Sequence, residues 1–379
     1  MNILILNNAP SSYATQSIVR AGEKKGHKMI IMDPGHFSPL VSNIESGYDR
    51  LYDLIAKTAS RLTIRDIDGI IPRIGENLTF NSYIVEHLTE NLGIYSTQSA
   101  AGIRAAASKF HTLQICSRHG IRTPITLYAR SANNVDFLIE KVGGLPLILK
   151  YNYGSQGAGV MLMESRKSAI STMEGLLKNK SDFIVQQFIP SKGQDIRAIV
   201  IGDRVVAAYR RTATKGDFRS NLSLGGTGEL VQLSMEDQIL CVKASKAIGL
   251  EVSGVDLIKD SQGTTFLNEI NSNFGLKGQK ITKIDVGEHL INYIENREVR
   301  GKTAPIKNPI QFDEQLKEEN KKLWNHVKFF TENRRIQFLY ESAVGKEISY
   351  RDITGKWMKR IIRNKYDIFR IVFDTFNIK

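Results

Sequence analysis

A glycine-rich segment of the chain has the composition of a phosphate-binding loop. It reads Gly154-Ser155-Gln156-Gly157-Ala158-Gly159, it lies between two predicted strands, and Lys150 precedes it. Glycine lets backbone N–H groups approach an anion closely, and the lysine adds a positive charge. The segment lacks the Gly-Lys-Ser/Thr ending of a Walker loop, and it leads into a strand where a dinucleotide fingerprint leads into a helix. Taken alone, it is equally compatible with a simple strand connection.

Three oxygen-bearing side chains fall on two neighbouring predicted strands. Asp256 lies in a strand over 253–258, and Glu269 and Asn271 lie at the end of a strand over 265–270. Side chains two residues apart share one face of a strand, so pairing of the two strands as a hairpin would bring all three together. Two carboxylates and an amide oxygen suit a magnesium ion shared with substrate phosphates. The alternative is a solvated sheet face, which leaves acidic residues in otherwise apolar strands unexplained.

Basic and amide side chains recur in the same part of the sequence. Arginine forks match phosphate and carboxylate oxygens, and they stabilise charge that develops during phosphoryl transfer. A surface position is the ordinary expectation for any single arginine, but a group beside a phosphate loop and a metal site favours function. The group consists of Lys109, Arg197, Arg210, Arg211, Arg219 and Asn221.

The elements that would position these residues alternate between strands and helices. Strand–helix–strand spacing in the first 95 residues predicts a βαβ unit and a parallel sheet. Beyond it we predict one helix over 98–120, strands at 125–128, 145–150, 160–163 and 183–188, helices at 135–142 and 167–178, a hairpin over 195–211, a polar loop over 217–228, and helices at 235–248 and 284–296. The predicted domains are an α/β domain over 1–95, two further parts over 96–185 and 186–301, and an extension over 302–379.

Composition places the chain among ordinary globular proteins. Its 379 residues are 41% hydrophobic and 24% charged, and two cysteines, Cys116 and Cys241, cannot build a disulfide framework. The first residues lack the features of a signal peptide, and no apolar run reaches the length of a membrane-spanning helix. We therefore expect a cytoplasmic protein. We interpret Cys116 as a packing residue.

The extension carries much of the positive charge. The formal net charge is +13, and residues 302–379 hold 17 Lys and Arg against 10 Asp and Glu. A proline-bearing linker over 302–310 leads into a predicted helical segment, in which apolar residues from Met358 to Phe376 recur every three or four positions between basic ones. Such a helix could pack on the protein body or a second subunit, contact nucleic acid, or lie on a membrane surface. The packing interpretation is favoured because most amphipathic helices bury their apolar stripe.

The motifs occur in an order that resembles the RimK-like branch of the ATP-grasp superfamily. The matching segments are Pro72-Arg73-Ile74-Gly75, Lys109, Lys150, the glycine-rich loop, Asp217-Phe218-Arg219-Ser220-Asn221-Leu222 and Asn268-Glu269-Ile270-Asn271. The resemblance covers roughly residues 1–298 and leaves the extension outside. It implies a mixed α/β ATP-grasp fold, with a Rossmann-like pre-ATP-grasp domain, two subdomains that clasp ATP, and a helical C-terminal extension.

The resemblance also implies a role for each matching residue. ATP would be bound by Lys109, Lys150, Gly154, Ser155, Gln156, Gly157, Gly159, Gln186, Gln187, Phe188, Ile189 and Asp195. Magnesium, or manganese, would be bound by Asp256, Glu269 and Asn271. Arg211, Arg219 and Asn221 would face the transferred phosphoryl group, and Arg73 and Arg197 would face substrate. The sequence departs from the family at Gln187, where relatives commonly carry glutamate, and at Phe274, where they often carry proline.

The resemblance implies an ATP- and magnesium-dependent ligase that joins a carboxylate to an amine through an acyl phosphate. Enzymes of this family add glutamate or related amino acids to a peptide, a protein or a small molecule, and they often form dimers or tetramers. The competing hypothesis is a non-catalytic relative that binds nucleic acid or the ribosome, or is recruited to a membrane surface, through its basic extension. The complete set of candidate catalytic residues argues against it.

Overall fold

The computed structural model describes residues 1–40, 51–53, 60–61, 67–154, 159–214, 218, 220, 225–299, 346–351 and 357–361. The chain divides into two compact units, Met1–Lys302 and Thr303–Lys379. Within the described ranges, no helix combines the length and apolar character needed to cross a bilayer.

The N-terminal part of the first unit is built around a parallel sheet, as predicted. Its elements are β1 (Asn2–Leu6), α1 (Tyr13–Lys24), β2 (Lys28–Met32), β3 (Phe37–Pro39), β4 (Leu51–Asp53), β5 (Ser60–Arg61), β6 (Gly69–Pro72) and α2 (Leu78–Glu86), which a π-helical turn at His87–Asn91 extends. Strand β1 lies in the middle, parallel to both β2 and β6. Its residues Ile3 to Leu6 are at most 3% exposed because both faces of the sheet are covered. The carboxyl ends of β1 and β6 therefore lie side by side, and Asn7 and Arg73 follow them.

The next part is an antiparallel sheet with helices. Its elements are α3 (Ala100–Ala107), α4 (Lys109–Arg118), β7 (Thr126–Ala129), α5 (Val135–Lys141), β8 (Leu147–Tyr151), β9 (Val160–Met163), α6 (Arg166–Lys178) and β10 (Phe183–Gln187). The strand order is β7-β10-β8-β9. The prediction of one helix over 98–120 is wrong, because the chain is extended at Ser108 and two helices result.

The last part of the first unit is a second antiparallel sheet. Its elements are β11 (Gln194–Ile201), β12 (Arg204–Thr212), β13 (Thr227–Leu230), α7 (Met235–Ala247), β14 (Val252–Lys259), β15 (Thr265–Asn271), α8 (Gln279–Thr282) and α9 (Val286–Val299). The strand order is β13-β12-β11-β14-β15. The hairpin predicted around Gly202 and the pairing of β14 with β15 are both confirmed. The first two residues of β13 overlap with the segment 217–228, predicted to be a loop, and their pairing with β12 accounts for the difference.

The second unit contributes a short antiparallel pair to the described residues. Strand β16 (Glu347–Arg351) pairs with β17 (Trp357–Ile361), and Lys359 Nζ lies 3.0 Å from Glu347 Oε2. The prediction of an amphipathic helix is therefore wrong over 358–361, where the partner strand satisfies the backbone hydrogen bonds. A short apolar stretch does not distinguish helix from strand by periodicity alone. The rest of that predicted helix, from 362 onward, lies outside the described residues.

Candidate active site

A cleft of about 570 Å³ brings together all of the predicted site residues that the structure describes except Gly159 and Arg210. Its walls come from the parallel sheet and from both antiparallel sheets. The predicted residues that line it are Arg73, Lys109, Lys150, Gly154, Gln186, Gln187, Phe188, Ile189, Asp195, Arg197, Arg211, Asp256, Glu269 and Asn271. Residues more than 190 positions apart in the sequence thus share one solvent-accessible space. Their individual roles remain predictions.

The glycine-rich loop is described only at its two ends. Gly154 lines the cleft, while Gly159 packs under the ring of Tyr151. Gly159 has a φ of +73°, and a β-carbon there would lie 1.9 Å from a ring atom of Tyr151, so any side chain at this position would strain the backbone and displace the ring. Five predicted site residues lie outside the described residues: Ser155, Gln156, Gly157, Arg219 and Asn221.

The break between α3 and α4 places Lys109 in the cleft. The Ser108 hydroxyl caps α4 by accepting from the backbone N–H of His111, and Asn152 Oδ1 accepts from the N–H of Phe110. Lys109 is thereby the first residue of α4. Its Nζ donates to the carbonyl of Gly154 at 2.6 Å and lies 3.8 Å from Glu269 Oε1. One lysine therefore connects the mouth of the glycine-rich loop with a predicted metal ligand.

Lys150 is held by a residue that the sequence did not single out as a site residue. Its Nζ donates to Asn268 Oδ1 at 2.8 Å. Strict alternation along β15 would place Asn268 on the opposite face from Glu269. The pairing of β14 with β15 shifts at this point, with Asp256 opposite Glu269 and Leu257 opposite Leu267, so Asn268 is the extra residue of a β-bulge. The bulge lets Asn268 and Glu269 both line the cleft.

The ammonium group of Lys150 has an unusual proton affinity. Burial lowers its pKa to about 8, and repulsion from Lys109 acts in the same direction, while Glu269 partly opposes both. If Lys150 binds phosphate as predicted, loss of its charge above about pH 8 would weaken nucleotide binding at a pH where an ordinary lysine stays charged.

We expect the affinity for a non-hydrolysable ATP analogue to fall above about pH 8. Lys150 is protonated below its pKa and neutral above it. Above about pH 8, binding of the anionic ligand therefore requires Lys150 to take up a proton. Linkage then raises the dissociation constant about tenfold per pH unit. Calorimetric titration of the analogue with magnesium across this range measures the effect. Lys150→Arg keeps its charge and should show a flat profile; an equally steep decline in that variant would exclude Lys150 as the source.

Two arginines and two aspartates form a buried, charge-balanced network beside the lysines. Arg211 donates through Nε and Nη2 to the two carboxylate oxygens of Asp195, both at 2.6 Å, and its Nη2 also lies 3.1 Å from Asp256 Oδ2. Arg197 donates through Nε and Nη2 to Asp256. These residues face each other because β11 pairs with both β12 and β14, with Asp195 opposite Arg211 and Arg197 opposite Asp256.

The network favours the charged forms of Asp256 and Arg211, whereas burial raises the pKa of Asp195. Burial alone would raise the pKa of Asp256, but Arg197 and Arg211 outweigh it and lower that pKa. Burial alone would lower the pKa of Arg211, but Asp256 and Asp195 outweigh it and raise that pKa. Arg210, the next residue on β12, instead pairs with Glu229 outside the cleft, so its inclusion in the predicted basic group is wrong. Adjacent residues of a strand point to opposite faces.

The residues around Asp256 fit a magnesium ion by the chemistry of their donors. Asp256 and Glu269 are cross-strand neighbours, and Asn271 Nδ2 lies 3.4 Å from Asp256 Oδ2. Among the described residues no three His, Cys, Asp or Glu side chains cluster in a metal-binding arrangement. Two carboxylates and one amide oxygen leave the remaining positions to phosphate oxygens and water, which is the usual environment of Mg²⁺.

The predicted adenine-binding strand end keeps two backbone donors available. Within the described ranges, neither the N–H of Phe188 nor that of Ile189 donates to another protein group. The side chain of Gln187, by contrast, accepts from the backbone N–H of Ile125 at 3.2 Å. The residue that departs from the family pattern thus joins the end of β10 to the segment that precedes β7.

Comparisons with known proteins identify the family to which the chain is similar. Residues 106–294 match the RimK-like ATP-grasp domain, and residues 1–103 match the RimK pre-ATP-grasp domain. A probable alpha-L-glutamate ligase of Trichodesmium erythraeum is 36% identical over 308 residues, which cover 79% of this chain and 98% of that protein. A probable alpha-L-glutamate ligase 1 of Shewanella denitrificans is 36% identical over 305 residues, covering 80% of this chain and all (100%) of that protein.

Solved structures share the fold at low sequence identity. The ATP-grasp ligase PsnB, complexed with a minimal precursor, Mg and ADP, superposes with a TM-score of 0.61 at 18% identity, covering 79% of this chain and 98% of PsnB. The macrocyclase MdnC of Microcystis aeruginosa, bound to its precursor peptide MdnA, gives a TM-score of 0.56 at 15% identity, covering 78% of this chain and 100% of MdnC. The family matches and the relatives together establish that the chain belongs to the RimK-like ATP-grasp family and is an ATP-dependent ligase.

Proposed function

We propose that the protein adds glutamate to a carboxylate-bearing acceptor in two transfers. The acceptor carboxylate takes the γ-phosphoryl group of ATP, which gives an acyl phosphate and ADP. The amine of glutamate then displaces phosphate from the acyl carbon and loses a proton, which gives an amide. Glutamate is proposed as the added residue because relatives at 36% identity are named probable alpha-L-glutamate ligases.

The observation that carries this proposal is the meeting of opposite charges in one cleft. Lys109 and Lys150 lie at the glycine-rich loop, where phosphate oxygens would be bound. Asp256 and Glu269 lie across from them, where a cation would be bound. Phosphate and carboxylate repel each other, so a site that transfers phosphate to a carboxylate needs this concentration of cations.

The metal ion would be held by Asp256, Glu269 and Asn271. Magnesium, or manganese in its place, supplies charge neutralisation at the phosphate oxygens when it is bound. Asp256 already accepts from Arg197 and Arg211, so its carboxylate would be shared between arginines and metal. Arg211 is thereby held beside the ligands, where its guanidinium can also reach developing charge on the transferred group.

The chain's own thiols take no covalent part in this reaction. Burial raises the pKa of Cys116 and that of Cys241 to about 12, so both are protonated at neutral pH. Neither lines the cleft. A direct transfer between bound substrates needs no protein nucleophile.

The decisive experiment is a screen for phosphate release from ATP and magnesium across the twenty amino acids, with and without short acidic peptides. Mass spectrometry of each mixture identifies the product. We expect glutamate to stimulate phosphate release and to give a condensation product whose mass matches loss of water.

A matched preparation of Glu269→Gln defines the background from contaminating ATPases. Release that is equal in the two preparations with every amino acid, despite measurable binding of ATP, would contradict the proposal. Release stimulated by another amino acid would support the proposed reaction and identify that amino acid, in place of glutamate, as the added residue.

A further inference from the structure

Arg73 is a buried cation at the end of the cleft formed by the parallel sheet. Arg73 is 7% exposed and is the residue immediately after β6. Its Nη2 donates to the carbonyl of Phe274 at 2.7 Å, and the guanidinium carbon lies 5.7 Å from the centre of the Phe274 ring. The loop after β15 thus fixes the guanidinium, and Arg73 lines both the cleft and a smaller adjacent pocket.

The charge of Arg73 has no anionic partner among the described residues. No carboxylate there lies within ion-pair distance of it, unlike Arg197 and Arg211. Its Nε is fully buried and donates to no protein group. Burial lowers its pKa to about 10 with no opposing attraction from an acid. A buried charge without a partner is costly, and native structures normally keep one only where a ligand completes the site.

The surroundings of Arg73 add further attraction for an anion. The first turn of α1 borders the same end of the cleft through Ser12, Tyr13 and Ala14, and it contains no acidic residue. The backbone N–H groups of Tyr13 and Ala14 donate to no described group, as expected for the start of a helix. Lys277 lines the cleft as well.

One acidic residue lies close by and is turned away. Glu76 accepts from the side-chain amide of Asn8 at 3.3 Å and does not line the cleft. The electrostatic character of this end therefore comes from Arg73, Lys277 and the α1 terminus.

We infer that Arg73, at this end of the cleft, is a specificity-determining residue that binds the carboxylate of the amino-acid substrate that takes no part in the reaction. The inference rests on the proposed function. It assigns to Arg73, with the α1 terminus and Lys277, the recognition of the group that does not react.

The carboxylate that becomes phosphorylated belongs at the other end. It must lie beside the predicted metal ligands and Arg211, whereas Arg73 is held by Phe274 in the loop that follows β15. A β-carbon placed on Gly254 would lie 2.9 Å from Cβ of Phe274 and 3.3 Å from Cδ of Arg197. Phe274 therefore packs against the strand that carries Asp256, and its ring also lies near the guanidinium of Arg73.

The test compares L-glutamate with its α-amide and with glutamine, its γ-amide, at saturating ATP and saturating carboxylate substrate. One of the two amides lacks the carboxylate that Arg73 binds. In the wild-type protein its KM should be about 10–100-fold above that of glutamate, because a charge-assisted contact is lost. In Arg73→Met, the KM for glutamate should rise to the level of that amide, so the ratio of the amide KM to the glutamate KM should fall towards one. The KM for ATP should stay unchanged.

Two companion variants separate recognition from general damage. Arg104→Met removes an arginine that stacks on Tyr83 and pairs with Glu86 outside the cleft, and it should keep the wild-type ratio. Arg73→Lys keeps a positive charge and should restore part of the ratio even if Arg73→Met folds poorly.

Two results would overturn the inference. A ratio unchanged in Arg73→Met and Arg73→Lys for both amides would show that Arg73 meets neither carboxylate of the amino acid. A KM that rises for the carboxylate substrate alone would place the phosphorylated group at Arg73. In either case the wild-type turnover itself would still stand, whereas absence of turnover with any amino acid would count against the proposed function.

Discussion

Glu269→Gln should reduce the rate of ligation by about 100-fold or more, which corresponds to about 2.7 kcal/mol of lost transition-state stabilisation. The substitution keeps the size of the side chain but removes one of two anionic donors from the predicted metal site. The fold should be unaffected, since among the described residues Glu269 has one ion-pair contact, 3.8 Å to Lys109, and its side chain is 25% exposed. Partly exposed pairs of this kind contribute about 0–1 kcal/mol to stability.

The measurement is the ligation rate as a function of magnesium concentration. The variant should need far more magnesium to approach its maximum, while the melting temperature stays at the wild-type value. Glu229→Gln is the matched control, because Glu229 also pairs with a basic residue, Arg210, but lies outside the cleft. If Glu269→Gln keeps the wild-type rate at limiting magnesium, Glu269 is not a ligand of the metal ion.

The chemistry of this site could be predicted from the sequence because it depends on residue types and spacings within short segments. Alternation along β15 places Glu269 and Asn271 on one face, and a short turn after Lys259 makes pairing with β14 the simplest topology. The parallel sheet follows in the same way from strand–helix–strand spacing. Residue type and period therefore suffice wherever the partner is the next element along the chain.

What could not be predicted depends on contacts between distant elements. The ion pairs of Arg197 and Arg211 follow from the register of three strands, and register is not visible in the residues of any one strand. Asn268 enters the cleft only because of a bulge. The helix break at Ser108 depends on Asn152, 44 positions away, whose Oδ1 lies 3.2 Å from the Ser108 hydroxyl. In each case tertiary structure overrides the local pattern.

The ion pairs also change what a substitution at Asp256 means. The sequence presents Asp256 and Glu269 as two equivalent metal ligands. In the structure Asp256 has a side chain 5% exposed and balances two guanidinium groups, so it supports the fold as well as the site. Removing its charge should therefore have a second consequence that Glu269→Gln lacks.

Asp256→Asn should lower the free energy of unfolding of the first unit by about 3–5 kcal/mol, in addition to abolishing ligation. The loss arises because Arg197 keeps its buried charge without its carboxylate, whereas Arg211 keeps Asp195. Urea denaturation followed by far-UV circular dichroism measures it. Tryptophan fluorescence would not serve, since the two tryptophans, Trp324 and Trp357, both lie in the second unit.

A second substitution identifies the cause of that loss. If the orphaned charge of Arg197 is responsible, Arg197→Met in the Asp256→Asn background should restore a large part of the lost stability, because an apolar side chain of similar length replaces a buried unpaired cation. Ligation should stay absent, since the predicted metal ligand is still missing. A double variant less stable than Asp256→Asn would mean that Arg197 supports the sheet mainly through packing of its side chain. An Asp256→Asn variant as stable as the wild type would mean that the network contributes nothing to folding, and that the sequence retains these four charges for the reaction alone.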